Sequence, residues 1–546
     1  MGIEMNRRSF VATTAATAAL AATGATCANA EEAAKPAQGE VAETIDCDIV
    51  VCGLGAAGFM SAITAAKAGS KVVVLEKGED ITAPNGVYVS GPFAVGTTVL
   101  QEKEGGTTLT EDDVFYHVMN YTHWTPNPAL MRRCIHESKN AVANLIEIGY
   151  EFKEVNFRFE TPFIGEKGGF HLITTPLEDR FTVWSDAIAN YGIDARFSTA
   201  MTSLVMDGDK VCGVLAEGPD GTVQVNAGAV IIATGGYLGN EDLQERFLHT
   251  RDLNVAKGGV SLCTGDGILA CEAVGAALEK TFGYCPCEYG GTNDKASRPA
   301  KQDKYDQNYA FKFGYYGNLL VDAEGKRFLN EGMLCDFPMS YGSEQTLHNN
   351  PWYAIVDQTY VDALTTEGLY NYMKARGAQD GEYGDPNTNW FIGAYFKDRI
   401  LDKLPEDIEE GIAEGWCWKT DTLEEVAEKF GLTNLVSTVE SYNAMCEAGE
   451  DTEFYKPACF MKPVATAPFY AFEYVPSAWG TNGGIKVDSG LHAVDAQNNA
   501  IPGLYVAGVD AGSMYTVPYF TNPGSSVGNA MGSGWFVAEQ IATDLA

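Results

Sequence analysis

The sequence predicts an α/β fold: a Rossmann-like domain assembled from both ends of the chain, with an α+β capping domain inserted between them. Three observations predict it. An apolar strand pattern at residues 49–52 runs straight into Gly53-x-Gly55-x-x-Gly58 and a helix of small residues. Two later apolar runs, "AVIIATGG" and "LYVAG", also end on glycine, the second close to the C-terminus. Between these two lies a long stretch with strand and helix patterns of its own.

The N-terminus comes first in the chain. Arg7 and Arg8 are paired, Phe10 follows, and a weakly apolar run of small residues leads to Ala28-Asn29-Ala30. That is the pattern of a twin-arginine signal peptide over residues 1–30, with cleavage after Ala30. Export of this kind carries folded protein, so a cofactor is expected to be tightly held before export. The expected destination is the periplasm or the outer face of the cell envelope. Residues 31–45 are rich in Ala and Glu and read as a linker. No later stretch reads as a transmembrane anchor.

Composition narrows the partners. The 546 residues carry 73 acidic and 37 basic side chains, a net charge of −36. Such a surface repels phosphate backbones, which argues against nucleic acid and for a cationic partner. Thirteen cysteines are irregularly spaced. Cys285-Pro286-Cys287 is too tight for a zinc pair, and no haem-attachment or ferredoxin-type run occurs. No metal site is expected.

The fingerprint at Gly53 has a physical logic. Gly53 permits the tight turn, Gly55 lets backbone approach a pyrophosphate, and Gly58 allows close helix–sheet packing. Ala56 and Ala57 open the helix whose free N–H groups face the phosphates. A second strand, residues 71–75, ends at Glu76, roughly 20 residues after the first glycine, where an acid can hold an adenosine ribose. Lys77 follows it. Ala233-Thr234-Gly235-Gly236 and Gly508 end the two distal strands. Gly524, Ser526 and Val527 begin a last helix, expected over 530–541, whose N-terminus is placed to meet a negatively charged cofactor edge.

In order, these pieces resemble the fumarate reductase and 3-ketosteroid dehydrogenase superfamily of flavoproteins, from Asp46 onwards. "TGDGILACEAVGAAL", which contains Asp266, resembles the family helix after the second cofactor stretch. "LLVDAEGKRFLNE" resembles the family hairpin, here residues 319–328. "APFYAFEYVPSAWGTNGGIKVD" resembles the return strand. The resemblance implies FAD as cofactor and a FAD-binding domain of the two-dinucleotide-binding type. Its first part is 46–280 and its second 463–546, with an irregular crossing and the capping domain at 281–462. Helices are expected within 111–148, broken at Pro126 and Pro128, and at 423–430 and 435–447.

The resemblance also places the chemistry. Fumarate reductases hold a dicarboxylate with arginines and histidines. Here the proton-delivering arginine's place falls on Cys335, the histidine's on Gly480 beside Trp479, and a second arginine's on Ser525. Ketosteroid dehydrogenases use tyrosines, one of which falls at Tyr519, with Phe520 the literal match one residue on. Uncharged residues leave a dianion without compensation. The expected reaction is reduction of an activated C=C bond in an enone, arylacrylate or steroid-like carbonyl compound, with Tyr519 or Cys335 as proton donor. Trp479 and Phe520 would wall the site. Electrons are expected from an external cytochrome or a membrane quinol-linked donor. Dehydrogenation of a ketosteroid-like ring is the alternative, and a flavin electron carrier a further one.

Overall fold

The computed structural model describes residues 41–96, 98, 109–155, 169–249, 256–257, 262–291, 316–332, 343–349, 351–377, 399–519 and 524–545. The first part of the chain gives β1 (Val41–Cys52), α1 (Ala56–Lys67), β2 (Val72–Leu75), α2 (Glu111–Tyr121) and α3 (Pro128–Glu147). The ribbon β3 (Phe152–Val155) and β4 (Phe170–Ile173) follows, then α4 (Leu177–Asn190), β5 (Asp194–Arg196), β6 (Ala200–Asp207), β7 (Lys210–Gly218) and β8 (Gly221–Ile232). Next come α5 (Glu241–Leu248), β9 (Ala256–Lys257) and α6 (Asp266–Ala273). The middle of the chain holds β10 (Gly283–Gly291), β11 (Leu319–Val321), α7 (Ser343–His348), β12 (Trp352–Asp357), α8 (Gln358–Thr366), α9 (Gly368–Ala375), α10 (Leu404–Glu414), β13 (Cys417–Thr420), α11 (Leu423–Phe430), α12 (Leu435–Ala448) and β14 (Phe469–Asn482). The chain ends with β15 (His492–Val494), β16 (Ala500–Val506) and α13 (Ser525–Asp544).

Strands from both ends of the chain share one sheet, in the order β15-β16-β8-β1-β2-β5. The run from β16 to β5 is parallel, and β6 and β7 join through β8 as an antiparallel ribbon. Val50, Val51, Val73, Val74, Ile231 and Val506 are fully buried, as a parallel sheet covered by helices requires. Register matters for function. Cys52 lies opposite both Leu75 and Ile232, and Ile232 lies opposite Val506. The turns leaving four parallel strands therefore open on one edge, where such sheets bind ligands.

Helices are placed by recognisable signals. Thr110 and Asp113 form a capping box at α2, and Asn127 followed by Pro128 starts α3. Phe59 of α1 stacks on Trp184 of α4 with ring centroids 3.8 Å apart, and Trp184 donates to Tyr150 Oη at 2.7 Å. α13 crosses α1 so closely that a Cβ on Gly534 would lie 2.4 Å from Ala57 O.

A second sheet runs β10-β14-β12-β11, with β9 and β13 also paired to β14. Its core holds Trp352, Trp416, Phe472 and Tyr474. Beneath the segment after β11 lies a buried charge cluster. The Arg327 guanidinium pairs with Glu331 at 2.8 Å and Asp451 at 2.7 Å, and Lys456 lies 3.5 Å from Glu331; all four side chains are almost fully enclosed.

Several expectations are corrected here. β1 begins at Val41, within the expected linker, because Val41 and residues 43–46 pair with β8. The stretch after 281 is not irregular, since residues 283–291 form β10 against β14. β14 belongs to the second sheet, so that sheet extends past the expected boundary at 463. Residues 319–328 are not a hairpin. β11 turns at Asp322, whose Oδ1 accepts from Glu324 N and Lys326 N, and the next arm leaves the sheet to bury Arg327. The last helix starts at Ser525, earlier than 530, because Gly524 at φ 75° caps it. The signal residues 1–30, the linker residues 31–40 and the candidate residues Cys335 and Phe520 lie outside the described residues.

Candidate active site

The sheet edge at the end of β1 is shaped as a cradle. Gly53, at φ +100°, packs so tightly that a Cβ would sit 2.3 Å from Ala233 O, and one on Gly58 would sit 1.9 Å from Gly53 O. Gly55 is different. Among the described residues nothing lies within 4 Å of the place its Cβ would take, so the space above it is open. Gly55 also begins α1 without a side-chain cap, leaving the first amides, those of Ala56 and Ala57 included, to an outside acceptor. Glu76, 8 % exposed, accepts from Leu54 N at 2.8 Å and Gly78 N at 2.7 Å, one on each oxygen. Each oxygen keeps a lone pair for a ribose hydroxyl. The geometry fits a dinucleotide with its pyrophosphate over Gly55.

Lys77 and Asp266 are brought to each other. Lys77 Nζ lies 2.7 Å from Asp266 Oδ2 and also bonds Thr264 Oγ1, tying the turn after β2 to the start of α6. Further along the edge, the turn Ala233-Thr234-Gly235-Gly236 wraps a residue that sequence reasoning missed. Asp510 is fully buried. It accepts from Thr234 N, from Thr234 Oγ1 at 2.9 Å, from Gly235 N at 3.0 Å and from Gly236 N at 2.9 Å. Burial raises its carboxyl above the ordinary value, and these donors oppose the rise. Asp510 thereby joins the turns after β8 and β16. Gly508, in the same turn, donates its N–H to Ser533 of α13 at 3.0 Å.

The other end of the edge meets the second sheet. In β14, Gly480 is paired with Cys285 of β10, and the next pair is Ala478 with Pro286. Trp479 is thus the extra residue of a β-bulge, a device that re-aims a side chain, and it is 37 % exposed. Gly480 is buried, yet among the described residues nothing lies within 4 Å of its Cβ position. Cys285, 3 % exposed, lies near the side chains of Tyr519 and Ser526, which act to lower its pKa against the effect of burial. Burial pushes its thiol up to about 12. The Tyr519 ring is partly exposed but its hydroxyl is enclosed, and that burial pushes the phenol well above its ordinary range. Tyr515 Oη donates to Ser526 O at 2.6 Å and pins the first turn of α13, where Gly524 O accepts from Phe93 N at 2.9 Å and Val527 packs against the core.

The structure therefore gathers Gly480, Tyr519 and Ser526 around Cys285, with Trp479 at the bulge. Every side chain in that set is uncharged at neutral pH. Ser525 is placed elsewhere: it lines an apolar pocket behind α13 with Phe93, Val118 and Met131. Tyr470 and Tyr474, further up β14, are core residues of the second sheet.

Residues 48–527 match the family model described as the FAD binding domain. The chain belongs to that family. It is 30 % identical over 502 residues to the vinyl phenol reductase of Lactiplantibacillus plantarum, covering 89 % of this chain and 94 % of that one. It is 27 % identical over 484 residues to the fumarate reductase (cytochrome) of Shewanella frigidimarina, covering 86 % and 72 %. The fold is that of the 3-ketosteroid Δ1-dehydrogenase of Sterolibacterium denitrificans, with a TM-score of 0.69 at 17 % identity, over 91 % of this chain and all of that one. The protein is a FAD-dependent oxidoreductase acting on carbon–carbon bonds. The cradle at Gly55 and Glu76 is where its own residues fit the cofactor.

Proposed function

We propose that the protein reduces a C=C bond conjugated to an aromatic ring or a carbonyl, in a flat and uncharged substrate. The observation that carries this reading is the uncharged set around Gly480, with no described atom within 4 Å of the glycine's Cβ position and a phenol nearby. A fumarate dianion placed there would lose its hydration with no cation among those residues to replace it. The relative from Lactiplantibacillus plantarum is named for an aromatic olefin, which suits such a site.

Bound FAD supplies the hydride. The chain's residues then have three tasks. Gly480 leaves room for the body of the substrate, and Trp479 flanks it. Tyr519 donates its hydroxyl to the carbonyl or phenol end, or gives its proton to the carbon that does not receive hydride. Burial raises the phenol's pKa, so it is protonated at neutral pH, the form from which a proton donor in reduction starts. Cys335 remains a candidate donor and Phe520 a candidate wall.

Export by the twin-arginine route at Arg7-Arg8 is part of the proposal, as is an external redox protein as electron source. The net charge of −36 suits a cationic partner, and the rate should fall with salt. Among the described residues no helix is long and apolar enough to cross a membrane.

The test is an anaerobic panel. Protein reduced with viologen is mixed with vinyl phenols, cinnamates, steroid enones, urocanate and fumarate, and products are weighed. A gain of two hydrogens on an aromatic or enone substrate is expected. Turnover of fumarate alone, or ring desaturation by oxidised protein without any reduction, would reject the reading.

A further inference from the structure

One wall of the cradle is the turn Pro84-Asn85-Gly86-Val87. Gly86 presses on the start of α1: a Cβ on it would lie 2.4 Å from Ala56 N and 3.0 Å from Gly55 C. The chain then runs along β4, where Ile173 N donates to Ser90 O and His171 N donates to Pro92 O, each at 2.9 Å. Between these two anchorages the wall is fastened by a side chain of α4. Arg180 Nη1 donates to Val89 O at 2.8 Å and to Val87 O at 3.2 Å. Its Nε donates to Thr175 O at 2.9 Å, in the turn between β4 and α4. Neither Val87 O nor Val89 O has another hydrogen-bond donor among the described residues.

Arg180 is otherwise badly placed for a cation. It is half-buried, and among the described residues no carboxylate pairs with it. Burial pushes its pKa down, yet a guanidinium stays charged. It is also the fourth residue of α4, near the end of the helix where the dipole disfavours positive charge. A cation taken out of water without an acid costs stability, and the three carbonyl oxygens are the contacts that offset it. The planar fork suits them, because its nitrogens donate in fixed directions to two separate segments.

We propose that Arg180 is a positioning residue for the cofactor: by fixing Val87 and Val89 it keeps the Gly86 wall closed against α1 and so slows the release of FAD. The inference rests on the pyrophosphate lying over Gly55 and is independent of the substrate reading. Arg180 acts through the wall. Without its fork the wall is held only at its ends, by the contact of Gly86 with α1 and by the pairing of Ser90 and Pro92 with β4.

The test uses the FAD-loaded protein in urea below its unfolding transition, with release read as the return of flavin fluorescence. Arg180→Met should speed release at least about tenfold. Hydrogen exchange on the FAD-stripped variant should be faster at residues 86–91, while β1 and β2 keep their protection. Gly86→Ala, which pushes the wall off α1, should speed release by itself. The two changes together should do so by less than the product of the single effects, since both act on one wall. Release within about twofold of wild type would overturn the inference. So would an equal rise in exchange across β1 and β2, which would make Arg180 a general stabiliser, or a double variant that shows the full product. If Arg180→Met does not fold, Arg180→Lys takes its place. An ammonium keeps the charge without the fork, so release should still be at least about threefold faster, and an unchanged rate would reject the role. Weakened FAD binding in Gly55→Ala beside wild-type release in Arg180→Met would sink this inference alone and leave the phosphate placement standing.

Discussion

Replacing Gly55 by alanine should separate cofactor binding from folding, and the structure gives the size of each effect. Gly55 has φ −67° and ψ −172°, a backbone conformation that alanine adopts freely. No described atom lies within 4 Å of the new methyl. The apoprotein should therefore be unharmed, or more stable by about 0.4–1 kcal/mol through the less flexible unfolded chain. The methyl would instead occupy the space assigned to the pyrophosphate. Overpacking of about 1–3 kcal/mol translates to FAD bound roughly five- to 150-fold more weakly. Gly53→Ala is the contrast. Its Cβ would meet Ala233 O at 2.3 Å, at a φ of +100° that side chains disfavour, so folding itself should lose about 2–5 kcal/mol. The assay is the ratio of flavin to protein absorbance after purification, with a denaturant melt of the FAD-stripped protein. Gly55→Ala with wild-type flavin affinity would refute the placement of the phosphates. So would a Gly55→Ala apoprotein as unstable as Gly53→Ala.

Other outcomes follow from the same geometry. Asp510→Ala strands one buried and two half-buried amides and should cost about 2–3 kcal/mol in denaturant melts; less than about 1 kcal/mol would show that the turn after β8 holds without it. Arg327→Met leaves Asp451 buried without its cation and Glu331 with Lys456 alone, and should destabilise the capping region by about 3–5 kcal/mol, read by hydrogen exchange. His492 places Nδ1 2.9 Å from Asp488 and Nε2 2.8 Å from Asp544, an arrangement only the doubly protonated ring satisfies. The bond to Asp488, then that to Asp544, raises its pKa above 6.5, so the clasp on the end of α13 is complete below that pH. Its contribution is lost as pH rises through the raised value, and His492→Ala should remove that part of the pH dependence of melting. Gly480→His should fill the space over β14 and lower turnover of aromatic olefins at least about tenfold with flavin content unchanged; unchanged turnover would move the substrate site elsewhere.

Legibility in the sequence tracked how local each signal was. The start of α1 and both ends of α11 were read to the residue, because a glycine turn opens the first and helical periodicity runs up to Gly431 in the second. The Gly53–Glu76 unit was legible because its spacing encodes a turn, a helix and a ribose acid in one short stretch. β10 was not, because Cys285-Pro286-Cys287 and its glycines suppress any strand pattern, and its pairing is set by β14, almost 200 residues away. Asp510 was missed for a related reason. Its carboxylate is explained only by amides 274–276 residues earlier in the chain. The signal was present in "GVDAG", an acid directly after a strand-ending glycine. Tyr519 was found by resemblance. What surrounds it, a thiol and a hydroxyl, came only from the packing of β10 against the first turn of α13.

The central claim is that this site has exchanged a dicarboxylate for an uncharged conjugated olefin. Single-turnover mixing tests it most directly. Protein fully reduced under anaerobic conditions is mixed with 4-vinylphenol or with fumarate at equal concentration, and the return of the oxidised flavin absorbance is timed. The account predicts reoxidation by the vinyl phenol at least about a hundredfold faster than by fumarate, a preference of roughly 3 kcal/mol in transition-state stabilisation. Fumarate reoxidising the protein as fast as the vinyl phenol, or faster, would contradict it.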